Sequence, residues 1–178
     1  RLLGVAEHYE QMGGRSPIND ITRRQAEALQ KQLNAEGFPL PVYVGQRNWH
    51  PFIEDTLKKM AADGVKRAIG FATAPHRSEA SLERYIRAVE EARAKIGPTA
   101  PVIDYVGPWF DHPLFIEALV ERVHEVVDPA PELMNAPWYY IAHSIPCMMA
   151  KDSTYVPELR RTATSISDRF GRKDANIA

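Results

Sequence analysis

The sequence is short of several things at once, and each shortage narrows what it can be. Its 178 residues contain one cysteine, Cys147, so no internal disulfide can form and a reducing, cytoplasmic setting is the simpler expectation. The longest apolar runs, such as residues 138–142, fall far short of the roughly 20 residues that span a bilayer, so no transmembrane helix is expected. Neither sign of charge is in excess. The 22 basic and 23 acidic residues leave a formal charge of −1, which argues against nucleic acid as a partner and against a broad basic face for anionic lipid. H-E-x-x-H, the P-loop and the G-x-S-x-G elbow are all missing, and Gly13-Gly14 follows no recognisable strand. Zincin, ATPase, serine-hydrolase and dinucleotide-binding readings therefore lose support. An unrelated phosphate-binding domain would need a glycine-rich loop between a strand and a helix N-terminus, and none is found. There is no internal repeat, low-complexity tract or long flexible linker. With 44% hydrophobic and 25% charged residues, the composition is that of a globular domain. The chain starts at Arg1, without an initiator Met or signal-like segment and inside an apparent helix, which reads as a fragment.

What is present is an alternation of two periodicities. Ile21, Ala28, Leu29 and Leu33 follow helical spacing up to Gly37, and Val42-Tyr43-Val44 then reads as a short buried strand closed by Gly45. Pro51 opens a helix with Phe52, Ile53, Leu57 and Met60 on one face, and Gly64 serves as its C-terminal cap. Residues 68–73 read as a strand, followed by a helical stripe of Leu82, Tyr85, Ile86, Val89 and Ala92 that runs to Gly97. A third strand covers 102–106, and Pro113 starts a helix with Phe115, Leu119, Val123 and Val126 facing inward. A buried strand over 138–142 precedes a helix with Leu159, Ala163, Ile166 and Phe170 on one face, ended by Gly171. Such alternation predicts an α/β fold: a doubly wound, mostly parallel sheet with flanking helices. The expected division is a first α/β lobe over 1–130 and the start of a second over 131–178. The proline-rich stretch 128–137 is the candidate hinge.

In such folds ligands bind outside the carboxyl ends of the strands, which directs attention to four loops. Gln46-Arg47-Asn48-Trp49-His50 joins a guanidinium, an aromatic face and an imidazole, a set suited to a flat anionic ligand. A surface arginine and a core tryptophan would account for the same residues. Ala74-Pro75-His76-Arg77-Ser78 offers His, Arg and a hydroxyl, although Ser78 or Ser81 also suits helix capping. Gly107-Pro108-Trp109-Phe110-Asp111-His112-Pro113 puts aromatics beside an Asp and a His that equally fit the entrance of a Pro-initiated helix. His143 is the sharpest candidate. It follows an almost wholly apolar strand, where an imidazole would be fixed and partly dry, and it could serve as base, as metal ligand, or as a histidine satisfied by backbone.

Taken together, these segments resemble the ferrochelatase family over nearly the whole chain. Tyr9-Glu10-Gln11-Met12-Gly13-Gly14-Arg15-Ser16-Pro17-Ile18, then Thr22 and Gln25-Ala26, is similar to the family's Y-x-x-x-G-G-x-S-P-[LI] segment and its T-x-x-Q-A continuation. Gly45-Gln46-Arg47-Asn48-Trp49-His50-Pro51 is similar to the G-x-[RK]-[YH]-x-x-P loop, with Asn48 where many members carry Tyr or His. Pro75-His76-Arg77-Ser78 through Ser81 and Tyr85 resembles the P-x-x-S-x-x-S segment. Ala142-His143-Ser144-Ile145-Pro146 resembles the A-H-S-[IL]-P signature, and Tyr155 takes the place of the tyrosine that follows it. The four stand in the family's order.

The resemblance implies an enzyme, a lyase that inserts ferrous iron into protoporphyrin IX or coproporphyrin III in haem biosynthesis. It gives His143 the catalytic and metal-facing role, and makes Ser16, Gln25, Arg47, Ser78 and Tyr85 the substrate-contact candidates. Porphyrin and ferrous iron are then the partners, with iron as substrate and no organic cofactor. Some members bind an iron–sulfur cluster through several cysteines, which Cys147 alone cannot supply. The family's catalytic glutamate and a first-strand residue would lie outside this stretch, so the fragment alone is expected to be inactive. The alternatives are a cobalt chelatase of corrin synthesis and a non-catalytic tetrapyrrole-binding α/β module. The poor solubility of porphyrins leaves peripheral membrane contact open, although no amphipathic basic helix argues for it.

Overall fold

The computed structural model describes residues 9–11, 13–151, 153–173 and 175–177. These fall into two compact units. One holds the described residues up to Lys66 together with Glu91–Pro101, and the other holds Arg67–Glu90 and the described residues from Val102 onward.

In the first unit, helix α1 spans Ile18–Ala35 and helix α2 spans Ile53–Ala62. The predicted stripe of α1 forms on a helix, yet none of its residues is buried, and Leu29 stands 46% exposed. Polar contacts hold it instead. The Ser16 hydroxyl accepts from the Ile18 N–H at 3.3 Å, and Gln30 donates to the Leu40 carbonyl while accepting from the Val42 N–H. That second contact helps explain why the strand expected at 42–44 is not formed. The Val42 N–H goes to the Gln30 side chain, and the Val44 carbonyl accepts from the Thr56 hydroxyl at 2.7 Å. No ladder forms on this segment among the described residues, and one parallel bridge, Gln46 to Phe52, follows it. Helix α2 begins at Ile53 rather than at Pro51, because Phe52 is the extended N-cap residue. Ile53, Leu57 and Met60 are buried as their spacing predicts. Its end is a Schellman turn: Gly64 at φ 80° donates to the Ala61 carbonyl and Val65 donates to that of Met60.

The second unit opens with strand β1, Arg67–Gly70, a π turn over Glu79–Glu83, the first half of helix α3, which spans Arg84–Ile96 and passes into the first unit at Glu91, and strand β2, Val102–Tyr105. The strands pair in parallel, from Arg67 opposite Val102 to Gly70 opposite Tyr105, as a βαβ unit requires. Both are shorter than predicted. Past Gly70 the Ala72 carbonyl accepts from the Trp109 indole, and Pro75 has no N–H to give, so the ladder stops. Helix α4, Pro113–Val127, 3₁₀ turn Pro131–Asn135, strand β3, Tyr139–Tyr140, helix α5, Cys147–Lys151, helix α6, Tyr155–Arg169, and strand β4, Asn176–Ile177, complete the unit. β3 and β4 are also parallel. The strand expected over 138–142 is cut to two residues because its partner among the described residues covers only Asn176–Ile177, and it is not buried: Ile141 is 85% exposed.

The unit's core lies between α4 and α6, where Ile116, Val120 and Ile166 are buried against Phe115, Leu119, Val123, Tyr140 and Phe170. Two adjacent apolar stripes run along α4, and packing against α6 selects as the deeper one the stripe one residue on from that predicted. Val127 is buried and Val126 exposed. This packing runs across residue 130 of the sequence. Within the proline-rich stretch, Arg172 donates to the carbonyls of Met134 and Ala136, and the Trp138 indole donates to that of Leu133. The architecture is mixed helix and strand, consistent with an α/β domain. Among the described residues the strands form two separate two-stranded parallel sheets.

Candidate active site at the strand-end loops

Within the second unit, three loops leave the carboxyl ends of β1, β2 and β3, and the first two turns of α6 meet all of them. The first loop brings His76 against α6. Its Nε2 lies 2.9 Å from the Thr162 hydroxyl. That hydroxyl has a single proton, which goes to the Phe110 carbonyl at 2.8 Å or the Glu158 carbonyl at 3.2 Å. With that proton on a carbonyl, Thr162 accepts from His76, the arrangement of an imidazole protonated at Nε2. Burial pushes the His76 pKa below the ordinary imidazole value, with the nearby Glu158 charge opposing the shift. The ring stacks on Phe110, with centroids 6.2 Å apart, and meets the Tyr155 ring edge to face.

Glu158 is buried, 7% exposed, and its carboxylate is satisfied by two donors. The backbone N–H of Arg77 donates at 2.6 Å, and the Thr154 hydroxyl donates at 2.5 Å. The Arg77 guanidinium turns the other way, to Glu83 at 2.6 Å, and stands exposed. Ser78 is buried. Its hydroxyl pairs with that of Ser81 at 2.8 Å and does not cap the following turn, so the capping expected of this side chain is absent. From the second loop, the Trp109 indole donates to the Ala72 carbonyl at 3.0 Å, and its ring stacks on Phe71 and meets Phe115 edge to face. A shallow cleft lined by Ala72, His76, Leu82, Gly107, Pro108 and Trp109 lies between these first two loops. Asp111 pairs with Arg161 at 3.1 Å, and His112 takes the helix-entrance role, capping α4 by accepting from the Leu114 N–H.

His143 sits three residues beyond β3. The partial dryness expected of it is not found, because β3 ends at Tyr140 and the following residues leave the sheet, so the side chain is exposed. Its orientation is nevertheless set. Nδ1 lies 2.7 Å from the Ser144 carbonyl, which can only accept, so Nδ1 carries a proton and Nε2 is the nitrogen left without a protein partner in this contact. The His143 carbonyl accepts from the Tyr155 hydroxyl at 3.1 Å. Tyr85 lies on α3 of this unit at the edge of exposure.

The remaining sequence candidates belong to the first unit. Ser16 stands at the entrance of α1, its hydroxyl occupied by the Ile18 N–H, and Gln25 is exposed on the same helix. Arg47 is half-buried in the loop before α2. Gln46 donates to Asn19 at 2.8 Å, which ties that loop to the first turn of α1 and brings two of the four motif segments together. Trp49 in this loop is 61% exposed rather than part of a core. Arg1–His8 and Met12 lie outside the described residues, and with them the helix read at the chain's start and one position of the first motif. Among the described residues no cluster of His, Cys, Asp and Glu is arranged to hold a metal ion, and Cys147 is exposed with a free thiol. No helix among them is long and apolar enough to cross a membrane.

Sequence reasoning missed Glu158 and Thr162. The available signal was their spacing from Tyr155: positions 155, 158 and 162 fall on one helical face, and a Glu and a Thr there interrupt an otherwise buried stretch.

The family model for ferrochelatase matches residues 1–178. The ferrochelatase of Rhodopirellula baltica is 38% identical over 180 residues, covering 99% of this chain and 51% of that protein. The coproporphyrin III ferrochelatase of Nocardia farcinica is 40% identical over 148 residues, covering 82% of this chain and 42% of the relative. That of Mycobacterium avium is 42% identical over 178 residues, covering 100% and 50%. The chain spans about half the length of the curated relatives it matches. With four motif segments in order and a match along its whole length, the chain belongs to the ferrochelatase family.

Proposed function

We propose that the protein carrying this chain inserts ferrous iron into a porphyrin in haem biosynthesis, as a lyase of the cytoplasm. The observation that carries the reading is the A-H-S-I-P loop of a ferrochelatase-family chain, with its exposed histidine oriented by a contact from Nδ1 to the Ser144 carbonyl that leaves Nε2 for a ligand. Metallation removes two pyrrole protons from the macrocycle and strips water from the incoming iron. A neutral imidazole suits both tasks, accepting a proton or passing the metal at one nitrogen. His143 is the proposed group. Ser16, Gln25, Arg47, Ser78 and Tyr85 are the proposed substrate contacts, and the buried pairing of Ser78 with Ser81 makes its contribution one of loop shape. The names of the Nocardia and Mycobacterium relatives favour coproporphyrin III over protoporphyrin IX. The reading calls for no organic cofactor, and iron enters as substrate. A doubly wound sheet divided into two lobes near residue 130 belongs to the same proposal.

The test supplies ferrous iron with either porphyrin to the natural full-length protein and to its His143→Ala variant, and follows metalloporphyrin formation by absorbance. Product in the parent, and its loss in a variant that still binds porphyrin, supports the reading, and the faster porphyrin names the substrate. Porphyrin binding without metallation in the parent would mark a carrier instead. Unchanged metallation by His143→Ala would remove that residue from its role.

A further inference from the structure

One face of α6 reaches three loops that are far apart in sequence. Tyr155, Glu158 and Thr162 stand at i, i+3 and i+7, within one narrow arc of the helix. The Tyr155 hydroxyl donates to the backbone carbonyl of His143. The Glu158 carboxylate accepts from the backbone N–H of Arg77, and Thr162 accepts from His76 while donating to the Phe110 carbonyl or its own helix. Most of these partners are backbone atoms, so the contacts set loop conformation rather than side-chain identity. The His76 ring fills the space between them, against Tyr155 on one side and Phe110 on the other. None of the three helical residues needs to touch substrate to matter.

We propose that the first two turns of α6 form a positioning element for the metallation site: Tyr155 sets the backbone that carries His143, and Glu158 with Thr162 fixes the two loops beside it. The proposal rests on the reading of His143 as the metal-facing group. A buried carboxylate spent on a single backbone N–H and a hydroxyl is an expensive way to stabilise a fold, since a well-packed apolar side chain often serves as well or better. It is an effective way to hold one loop geometry, because a charge-assisted hydrogen bond is short, directional and lost if the loop shifts.

Tyr155→Phe, Glu158→Leu and Glu158→Gln in the natural full-length protein separate positioning from stability. Amide hydrogen exchange is read on loops 75–81, 107–113 and 143–146, and the KM for ferrous iron is read apart from the KM for porphyrin. For Tyr155→Phe, loss of one hydrogen bond predicts about three- to tenfold faster exchange confined to 143–146 and a similar loss in kcat/KM for iron, with porphyrin KM unchanged. Glu158→Leu shifts the change to 75–81. Glu158→Gln keeps an acceptor for Arg77 and restores protection, which shows that a Leu effect is not mere misfolding. A uniform rise in exchange, or none in these loops, with iron kinetics unchanged in the folded protein, overturns the proposal. If His143→Ala still metallates, the reading of His143 as the metal-facing group fails and with it the link of α6 to the metallation site, and the exchange pattern then decides only whether α6 orders these loops.

Discussion

Ile166→Ala tests the α4–α6 core, and its expected size follows from the packing. Ile166 is 5% exposed and lies against Ile116 and Val120, with Phe115 and Phe170 at the margin. Truncation removes three carbons, and at roughly 0.8 kcal/mol per buried methylene the lost transfer energy is about 2.4 kcal/mol. Helices on both sides limit collapse of the space left behind, so a cavity contribution of about 1 kcal/mol is added, for a total near 3–4 kcal/mol within the usual range for such truncations. Urea unfolding followed by far-UV circular dichroism reads it as a lower midpoint at unchanged slope. Iron KM should stay put, since Ile166, although on the same face as Tyr155, Glu158 and Thr162, lies a full turn beyond the last of them. A loss below about 1 kcal/mol would mean that the Ile116–Val120–Ile166 cluster is not the core of this unit. A matching change in iron KM would mean that stability and positioning are not separable in α6.

Three further outcomes are expected. Burial holds the His76 pKa below the usual imidazole value, so between that lowered value and about 6.5 the unfolded chain binds more protons than the folded one. Stability therefore rises with pH across this window and is lost as pH falls through it, and His76→Gln, which can still donate to Thr162, should flatten the slope measured between pH 5 and 7. Gly70→Val places a Cβ 2.9 Å from the Ile103 and Tyr105 side chains in the paired strand, so a loss of about 1–3 kcal/mol is expected, with the midpoint of thermal unfolding as the measure. Arg172→Gln takes donors from the Met134 and Ala136 carbonyls, and faster amide exchange over 131–137 should follow, whereas unchanged exchange would show that the 3₁₀ turn is held by its own bonds.

Periodicity located the five helices of ten or more residues because each buries some apolar side chain at 3.6-residue spacing or ends in a glycine with positive φ, whereas the short α5, which does neither, was not read. Gly171, for example, closes α6 with the Schellman bonds that Gly64 makes for α2. Strands were harder to read. Val42-Tyr43-Val44 has the composition of one, but a strand exists only where a neighbour offers its backbone, and here Gln30 and Thr56 take those groups. The face of α4 was off by one residue because two adjacent stripes are apolar and only the approach of α6 separates them. At the site, His143 and Ser78 were visible as residue types at strand ends. The burial of one and the exposure of the other were not, since both depend on the path of the chain after β1 and β3. Glu158 drew no notice because a glutamate on a helix is ordinarily a solvated one, and nothing local reveals that Arg77, 81 positions earlier, will place a backbone N–H on it.

That separation bears on how the chain becomes functional as it is made. Arg77 waits for a partner 81 residues downstream, His76 for one 86 residues downstream, and Phe110 for one 52 residues downstream. A ribosome adding residues from the N-terminus delivers β1, β2 and their loops well before α6, so this corner of the molecule stays unorganised while the βαβ unit is already able to pair. Closing such long loops also weighs on folding speed, because the entropy is lost before the distant contacts repay it. The contacts that order these loops thus come together, from a single helix made after them.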